Sequence, residues 1–573
     1  MFNGITRKIY VELAPPTEQD NTSAERRILS ALEAALQSER EQSGCHLVTM
    51  PLPIMRKLHP MCETAAWKLT ASLAWDGCRW EMVALEAGDT SMHHYGLAVD
   101  LGSTTLVMQL VDCNTGEVVL QEGAYNQQIA YGEDILMRIF YSKDNPEHLE
   151  EIRLATVNTI VELMKRLEEK TGIPLRTDLR KAADACEKMG LTGDNPLAGQ
   201  CISMVVAGNT TMTHFLLGLD AFCVFSAPYA VQTDQPGFIR GRDLDIPVTG
   251  YVYCYPSRAN YLGGDIISGM VATGMYRKKS ISLFFDVGTN GELVVGNRDF
   301  LLCGAGAAGP ALEGGVVKTG MRAADGAVQH VRFVRADKCT KNFTTFLIGR
   351  NTYMAELDVI GGGAPKGICG SGIVDLISEL FLYGIVDLRG RLVPEASDAV
   401  VWSVPGESGQ EDSRPEDFAE YSFRYAPGLS FYQSDISEFI RTKAAAYTMM
   451  EYLLSETGMT LDDVRDFHMA GAFGTHVNKE SAINIGMYPD VEPERIHAEG
   501  NTSLEGAKRL LLDRSITEEL PDILDLMTYV QFGAVEDFLE KMTAASALPH
   551  TDIERYPSVK ARLMKKLVKV LEE

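Results

Sequence analysis

The chain has 573 residues, 45% of them hydrophobic and 23% charged, so it is too long for one ordinary core and predicts two to four globular domains. Its formal net charge of −25 opposes binding to a phosphate backbone, so we expect no nucleic-acid partner. The sequence has no run of about 18 apolar residues, as a membrane span requires, and its start lacks the apolar stretch of a secretion signal. We therefore expect a cytoplasmic protein without a membrane partner.

Eleven cysteines are scattered along the chain. No two lie within four residues of each other, whereas a zinc ribbon or a ferredoxin-type cluster takes two thiolates from one loop. We expect the cysteines to be small buried hydrophobes and predict no iron–sulfur cluster in this chain. A cluster assembled from distant cysteines, or across a dimer, stays open.

The first 93 residues predict a small α+β N-terminal module that shows no chemistry of its own. Residues 1–45 read as a linker-like segment with a helix from about Ala24 to Gln42, capped by Thr22 or Ser23. Residues 46–93 alternate as short strands and predict a small middle domain.

From Tyr95 the pattern is strand, turn, strand, turn, strand, followed by a helix over about 147–170, a strand over 202–208 and a helix from about Thr211. The same order returns at Ile281, with helices around 372–383 and 435–456 and a strand over 466–474. This recurrence predicts an α/β protein of two matching lobes, 94–280 and 281–573, on either side of a cleft. Residues 403–430 are polar and turn-rich and predict an exposed loop, and the last 60 residues read as helical.

Two Asp-x-Gly hairpins carry the strongest chemical signal. Asp100 ends an apolar strand and is followed by Gly102, Ser103, Thr104 and Thr105. Glycine permits a tight turn in which backbone amides and hydroxyls face a phosphate, and Asp100 is placed to hold Mg²⁺. The pattern repeats with Asp286, Gly288, Thr289 and Asn290. Each hairpin alone is also ordinary turn chemistry, but two of them opening the same series of elements favour phosphate binding.

Two further segments follow strands. Gly208, Asn209 and Thr210 lie where a strand gives way to a helix, whose free amides suit an anion; Asn209 is also a candidate for orienting water, and a plain capped helix start is the alternative. Gly471, Ala472, Phe473 and Gly474 end a later strand, where small residues would admit an adenosine, although close strand–helix packing gives the same pattern.

Three weaker candidates remain. Residues 304–315 are so rich in glycine that they predict a loop beside the second hairpin, with Glu313 as a candidate carboxylate. Gly370, Ser371 and Gly372 open a helix and suit either an anion or close packing. Lys443 lies on a predicted helix and is a candidate nucleotide contact, with a surface lysine as the alternative.

Together these segments resemble the phosphate-1, connecting, phosphate-2 and adenosine segments of the actin/sugar-kinase/heat-shock-protein ATPase superfamily. The resemblance narrows to reductive activators of corrinoid proteins and runs over nearly the whole chain. It is carried by YGLAVDLGSTT, NQQIAYGEDILMRI, AGNTTMTHFLLG, GGDIISG, FFDVGTNGELVVG, GAAGPALEGG, ICGSGIVDLISEL and AGAFGTHVNKESAINIGMYPD.

The resemblance implies two ribonuclease-H-like lobes of the actin-like ATPase fold, ATP and Mg²⁺ as ligands, and a corrinoid protein as partner. Asp100, Asp286 and Asn209 would then position Mg²⁺ and the attacking water. Members of that family use ATP to drive reduction of cobalt(II) to cobalt(I) on a methyltransferase partner, usually with their own iron–sulfur domain. Because the first residues here already resemble the linker of that family, we expect the electrons to come from a separate ferredoxin-like protein.

Three alternative functions would use the same nucleotide-binding hairpins. They are a dehydratase-type activator with an iron–sulfur cluster between two subunits, a small-molecule kinase, and an ATP-dependent remodelling protein without a redox role. The kinase needs an acceptor pocket with a base, and no sugar-kinase signature is found. The oligomeric state stays open, a homodimer included.

Overall fold

The computed structural model of the protein describes residues 2–36, 48–177, 200–288, 291–306, 317–336, 345–403, 419–471, 476–532 and 537–572. The chain divides into two compact units. The first comprises Met1–Gly274 and Thr502–Asp525, and the second comprises Met275–Asn501 and Leu526–Glu573. Within the described ranges, none of the helices combines the length and the apolar composition needed to cross a bilayer.

The first unit begins with a four-stranded sheet and two helices. Its elements are β1 (Thr6–Glu12), α1 (Ala24–Ala35), β2 (Val48–Thr49), α2 (Leu52–Thr64), β3 (Lys68–Trp75) and β4 (Trp80–Ala87). The strand order is β1-β3-β4-β2. Ser23 caps α1, as predicted, by accepting a hydrogen bond from the Arg26 amide. Because β1 pairs along its whole length with β3, the segments predicted separately as 1–45 and 46–93 both contribute strands to one sheet.

Helix α2 was not predicted, although its pattern is in the sequence. Ile54, Leu58 and Cys62 are buried and spaced four residues apart, as on one face of a helix. Prolines at positions 51, 53 and 60 obscure this pattern, but a proline at the start of a helix lacks only an amide that has no intrahelical partner there.

The rest of the first unit is built around a six-stranded sheet. Its elements are β5 (Tyr95–Leu101), β6 (Thr105–Asp112), β7 (Val118–Tyr125), α3 (Ile135–Ser142), α4 (Pro146–Thr171), β8 (Cys201–Gly208), α5 (Thr210–Leu217), α6 (Phe222–Phe225), β9 (Gly237–Arg240), β10 (Tyr251–Cys254) and α7 (Gly264–Thr273). The strand order is β7-β6-β5-β8-β10-β9, in which β5, β8 and β10 are parallel and the others antiparallel to their neighbours. All the elements predicted between Tyr95 and Thr211 are present.

The second unit opens on the same series. Its elements as far as residue 500 are β11 (Ile281–Val287), β12 (Gly291–Asn297), β13 (Phe300–Gly306), β14 (Ala327–Arg335), β15 (Thr345–Ile348), β16 (Asn351–Val359), β17 (Gly367–Ile368), α8 (Gly370–Leu382), β18 (Val400–Ser403), β19 (Glu420–Ala426), β20 (Leu429–Tyr432), α9 (Gln433–Glu456), β21 (Val464–Ala470), α10 (Lys479–Asn484) and β22 (Ile496–Gly500). Sheets β15-β16-β14-β17 and β18-β19-β20 have no counterpart among the described residues of the first unit.

The chain then returns to the first unit before it ends in the second. Helices α11 (Thr502–Leu512) and α12 (Ile516–Leu526) come next, and α11 packs on α7, β5 and β8. The final elements are β23 (Met527–Val530), α13 (Phe538–Ala545) and α14 (Pro557–Glu572). The main sheet of the second unit therefore has the order β22-β21-β11-β12-β13-β23. Residues 502–525 thus depart from the prediction that residues 281–573 form one lobe.

The two six-stranded sheets confirm the internal duplication. In each, three antiparallel strands joined by hairpins (β7-β6-β5 and β13-β12-β11) are followed by two parallel strands (β8-β10 and β21-β22). Asp100 is the register partner of Ala207, and Asp286 is the register partner of Ala470. The two hairpins therefore occupy the same position in their sheets.

Three predictions for the second unit were wrong. Residues 420–432 were predicted as part of a loop, but form β19 and β20, because Phe423 and Tyr425 alternate with polar residues and are buried. Residues 304–306 were predicted as a loop, but belong to β13; a Cβ on Gly304 would lie 2.2 Å from the ring of Phe532, so the glycine serves close packing. Strand β23 interrupts the predicted helical end.

Candidate functional site

The turn between β5 and β6 is built around Gly102. Asp100 and Leu101 end β5, and Leu101 pairs with Leu106 across the hairpin. A Cβ on Gly102 would lie 2.3 Å from the carbonyl oxygen of Thr105, so any side chain there would force the turn open. Ser103, Thr104 and Thr105 are half-buried. The turn is as tight as the sequence predicts.

Three buried polar side chains, from Asn126, Gln128 and Arg138, lie behind this turn, and we call them the cradle. The side-chain amide of Asn126 donates to the Gly102 carbonyl (3.2 Å), and its backbone amide donates to the Thr104 carbonyl (2.9 Å). The guanidinium of Arg138 donates to the Ser103 carbonyl (2.6 Å). All three carbonyls of the turn are therefore bonded to one side.

The orientation of these carbonyls fixes the amides. In a planar trans peptide the carbonyl of one residue and the N–H of the next point in opposite directions. Since the Gly102 and Ser103 carbonyls are turned towards the cradle, the N–H groups of Ser103 and Thr104 point to the opposite side. Consecutive amides that point the same way form a concave donor site for an anion, which fits a phosphate group.

The cradle is itself held by helix α4. Gln128 binds the hydroxyl of Thr156 and accepts a hydrogen bond from Arg138 (3.4 Å), and the Gln127 amide donates to the hydroxyl of Thr159 (3.1 Å). Both threonines are fully buried. The carbonyl side of the turn is thus bound to a network anchored in the core of the unit.

Gly208, Asn209 and Thr210 lie beside the turn, at the end of β8. Gly208 faces Leu101, where a Cβ would come within 2.9 Å of its carbonyl oxygen. Asn209 caps α5 by accepting from the Met212 amide (2.9 Å), and Thr210 donates to the Ala259 carbonyl (3.0 Å). The structure therefore shows the capped helix start that was the alternative to an anion site. The cap is Asn209, whereas a threonine was expected.

A second carboxylate, that of Asp265, lies near Asp100. It stands in the first turn of α7, behind Gly263, on which a Cβ would lie 2.3 Å from the Cα of Asn209. Burial and the negative charge of Asp100 raise the pKa of Asp265 to about 7. Two carboxylates that repel each other in this way make a favourable environment for a cation.

The matching turn of the second unit is described in part. Asp286 is the second-last residue of β11. It is half-buried and pairs with Glu292 of β12, and Val287 and Gly288 follow it. Thr289 and Asn290 lie outside the described residues. Gly471 has φ +86° and directly follows Ala470, the register partner of Asp286.

Ala472, Phe473, Gly474 and Glu313 also lie outside the described residues. Of the residues predicted for this half of the site, the structure places Asp286 and Gly471 near the ends of two neighbouring strands, β11 and β21.

Lys443 is not placed for the predicted nucleotide contact. It is 2% exposed in α9, and its ammonium donates to the carbonyls of Ala545 (2.7 Å), Ala547 (2.6 Å) and Pro549. Burial lowers its pKa to about 7, while three carbonyl acceptors favour the charged form. Both readings of the sequence, a nucleotide contact and a surface lysine, are wrong in this structure: Lys443 binds the segment after α13 to α9.

The described cysteines confirm the prediction of small buried side chains in six of eight positions. These are Cys62, Cys113, Cys201, Cys254, Cys303 and Cys369. Burial raises the pKa of the Cys62 thiol to about 11 and that of Cys113 to about 12, which keeps both protonated. In the part of the chain that the structure describes, no group of three or more His, Cys, Asp or Glu side chains is arranged to hold a metal.

Asp265 and the cradle were not singled out from the sequence. Both lie in segments that carry the family resemblance, GGDIISG and NQQIAYGEDILMRI. The signal for Asp265 was an acidic residue after two glycines at a helix start. The sequence pattern that could have indicated the cradle was weaker, because the sequence alone does not show whether an arginine is buried or exposed.

The comparisons with known proteins agree with this geometry. Residues 280–560 match the family described as the C-terminal, ASKHA domain of RACo, residues 95–185 and 181–278 match the RACo middle region, and residues 1–92 match the RACo linker region. The N-terminal sheet thus falls wholly within the linker match, and the middle region begins at residue 95.

Two similar proteins and one solved structure extend the comparison. Corrinoid activation enzyme RamQ of Eubacterium limosum is 30% identical over 452 residues, which cover 78% of this chain and 69% of RamQ. The Co(II) methylated amine-specific corrinoid protein reductase of Methanosarcina barkeri is 25% identical over 280 residues, 48% of this chain and 46% of that protein. The structure of a reductive activator for corrinoid,iron-sulfur protein superposes with a TM-score of 0.81 at 30% identity, covering 97% of this chain and 81% of that one.

Proposed function

Since this chain belongs to the RACo family of corrinoid activators, we propose that it is an ATP-dependent activator of a corrinoid protein. In this proposal, ATP binding and hydrolysis drive the reduction of cobalt(II) to cobalt(I) on the partner, with electrons from a separate ferredoxin-like donor. The observation that carries the proposal is the 30% identity to RamQ over 78% of the chain.

The choice of ATP as ligand rests on the first turn as well as on the family. A tight turn with the Ser103 and Thr104 amides pointing to one side suits the terminal phosphates of a nucleotide. An ordinary hairpin needs neither a buried cradle nor a glycine whose replacement would clash with the turn itself. The turn after Asp286 holds the equivalent position in the second unit, and we propose that it also binds phosphate.

Magnesium is part of this proposal, and the support for it is the acidic character of Asp100 and Asp265 in the first unit. Mg²⁺ prefers carboxylate and phosphate oxygens and keeps several waters, so Asp100 would hold it mainly through water. When bound, the ion would neutralise phosphate charge. Asp265, whose carboxyl feels the negative charge of Asp100, would orient the attacking water.

The decisive experiment is an anaerobic spectrum of a cobalt(II) corrinoid protein mixed with this chain, ATP and a reductant. We expect the cobalt(I) absorption to grow only when both ATP and the chain are present. The Asp286→Ala variant should keep its fold but lose ATP hydrolysis and with it the spectral change. The matched control is Asp299→Ala, at a surface turn next to β13, which should behave like the wild type.

Other outcomes separate the alternatives. ATP hydrolysis that depends on a small metabolite, with formation of a phosphorylated product, would point to a kinase. Iron and a brown colour in anaerobically purified protein would point to the dehydratase-type activator. Cobalt(I) formation at the same rate without ATP would contradict the coupling proposed here.

A further inference from the structure

Arg138 differs from an ordinary buried arginine because no carboxylate among the described residues pairs with it. It is 0% exposed, and its hydrogen bonds go to the carbonyls of Gly132 (2.9 Å), Ser103 (2.6 Å) and Glu133 (3.4 Å) and to the side-chain oxygen of Gln128 (3.4 Å). In the described ranges no acidic side chain forms an ion pair with it. Asp134 acts on it at longer range, since its carboxylate caps α3 by accepting from the Met137 amide.

Burying the charged guanidinium of Arg138 without a described carboxylate partner costs free energy, so we expect the charge to serve a role. Burial lowers the pKa of Arg138 to about 10, which leaves the guanidinium charged at neutral pH. Joining α3 to the turn would need only neutral donors, which a glutamine supplies. The positive charge is therefore more than the packing of this region requires.

The bond to Ser103 gives that charge a direct route to the phosphate side of the turn. The Ser103 carbonyl and the Thr104 N–H belong to one peptide group and point in opposite directions. A charged donor on the carbonyl polarises the group and strengthens the N–H as a donor, as in any chain of linked hydrogen bonds. Arg138 thus lies at the inner end of a chain that runs from its guanidinium through one peptide to the anion site.

We propose that Arg138 is a positioning residue of the phosphate-binding turn, which it orients through the Ser103 carbonyl and whose affinity for phosphate it raises with its charge. The proposal rests on the proposed binding of ATP at this turn. In this proposal the positive charge of Arg138, which no described carboxylate pairs with, serves the binding of the nucleotide phosphates.

The test compares the affinities of the full-length chain for ATP and for AMP by calorimetry, with Mg²⁺ present. Removing the charge in Arg138→Gln should weaken ATP binding by about 10- to 100-fold, the range for a lost hydrogen bond to a charged group. AMP has no terminal phosphates and should bind with unchanged affinity. The Michaelis constant for ATP should rise more than the turnover number falls.

Arg7→Gln is the matched control, because Arg7 is also buried in the first unit and binds the Gly4 and Thr6 carbonyls (3.2 and 3.0 Å). It should leave the affinity for both nucleotides unchanged. Arg138→Lys keeps the charge without the planar guanidinium and should lose less ATP affinity than Arg138→Gln. If Arg138→Gln fails to fold, Arg138→Met decides in its place, because it also removes the charge: a loss of affinity confined to ATP supports the proposal, and an unchanged ATP affinity overturns it.

The remaining outcomes distinguish a failure of the role proposed for Arg138 from a failure of the proposed ATP-dependent function. Wild-type protein that binds no ATP would remove the proposed function itself. Wild-type protein that binds ATP, with Arg138→Gln binding it equally well, would overturn the role of Arg138 alone. Equal losses for ATP and AMP would show general damage to the unit and would also overturn it.

Discussion

Buried polar side chains shape the first unit at the residue scale. Asn126, Gln128 and Arg138 are fully buried, and each uses its polar atoms to hold the backbone of the turn or a neighbouring cradle residue. A buried polar group without a partner would cost free energy, so a complete network defines one conformation of the turn. Contacts with buried side chains of the unit therefore hold the backbone of the turn in place.

His94 provides a second buried polar group with a measurable consequence. It is 4% exposed; its Nε2 lies 2.8 Å from the Thr6 hydroxyl and its Nδ1 lies 3.4 Å from the Asn114 side-chain oxygen. Burial, together with the nearby charges of Arg7 and Lys8, lowers its pKa to about 4 against the opposing effects of Asn114 and Asp112.

The folded protein should therefore lose stability on acidification. Because the folded state binds the proton less readily than the unfolded state, the contribution of His94 is constant above pH about 6.5 and falls between pH 6.5 and 4. At pH 5.5 we expect a loss of about 1.4 kcal/mol in the free energy of unfolding relative to pH 7.5. His94→Gln removes this titration, so urea unfolding of the variant should show that much less acid sensitivity. The matched control, His59→Gln on the exposed side of α2, should keep the wild-type dependence; equal slopes for wild type and His94→Gln would contradict the assignment.

At the scale of elements, the hairpin and the strand beside it form the unit of the candidate site. In both sheets an aspartate ends the first strand and pairs with an alanine that precedes a glycine, Ala207-Gly208 in one and Ala470-Gly471 in the other. Parallel strands place their carboxyl ends at the same edge, so residues distant in sequence come together there. In the first sheet the glycine allows close packing, because a Cβ on Gly208 would lie 2.9 Å from the Leu101 carbonyl oxygen.

Gly102→Ala should damage the first hairpin selectively. The added Cβ would lie 2.3 Å from the Thr105 carbonyl oxygen, a backbone atom that cannot move without opening the turn. We expect ATP affinity to fall by at least about tenfold, as for loss of one hydrogen bond to a charged group, while the free energy of unfolding changes by about 1–3 kcal/mol.

Gly123→Ala in β7 is the control for this change, because its Cβ would meet ordinary contacts at 3.6 Å or more. It should keep the ATP affinity of the wild type. Calorimetric titration of both variants with ATP measures the difference, and the same affinity in the two would mean that the turn does not contact the nucleotide.

At the scale of the whole molecule, the chain order and the units do not coincide. Helix α11 follows β22 of the second unit but packs in the first, on α7, β5 and β8. Gly506 allows the close approach: a Cβ there would lie 2.2 Å from the Ser268 carbonyl oxygen, and the Tyr255 hydroxyl donates to the Gly506 carbonyl at 2.7 Å. The first unit therefore consists of its N-terminal part and the later segment Thr502–Asp525.

Gly506→Ala should destabilise the first unit although it lies more than 200 residues beyond the rest of it. We expect about 1–3 kcal/mol from overpacking against α7, seen as faster hydrogen exchange in β5 and β8. Glu505→Ala, which removes partly exposed ion pairs to Lys508 and Arg509, should cost about 0–1 kcal/mol. Equal exchange rates in the two variants would show that α11 does not stabilise the first unit through this contact.

Local patterns in the sequence were sufficient for part of this architecture. Alternating residues and the Asp-x-Gly turns predicted β5, β6, β7, β11 and β12, and their recurrence predicted the duplication, because strand periodicity and turn chemistry depend on neighbouring residues. Helix α2 and strands β19 and β20 were missed where prolines or polar neighbours mask the period.

The sequence by itself determined the family, the matching pair of sheets and the aspartates that end their first strands, since each depends on motifs a few residues long. The tertiary structure alone decided that Arg138 and Asn126 hold the turn, that Asp265 lies near Asp100, that Lys443 binds carbonyls instead of a nucleotide, and that α11 returns to the first unit. These are contacts between residues tens to hundreds of positions apart, and a charged side chain gives no local sign of whether it will be buried. The physical reason is that burial and charge pairing are properties of the packed chain.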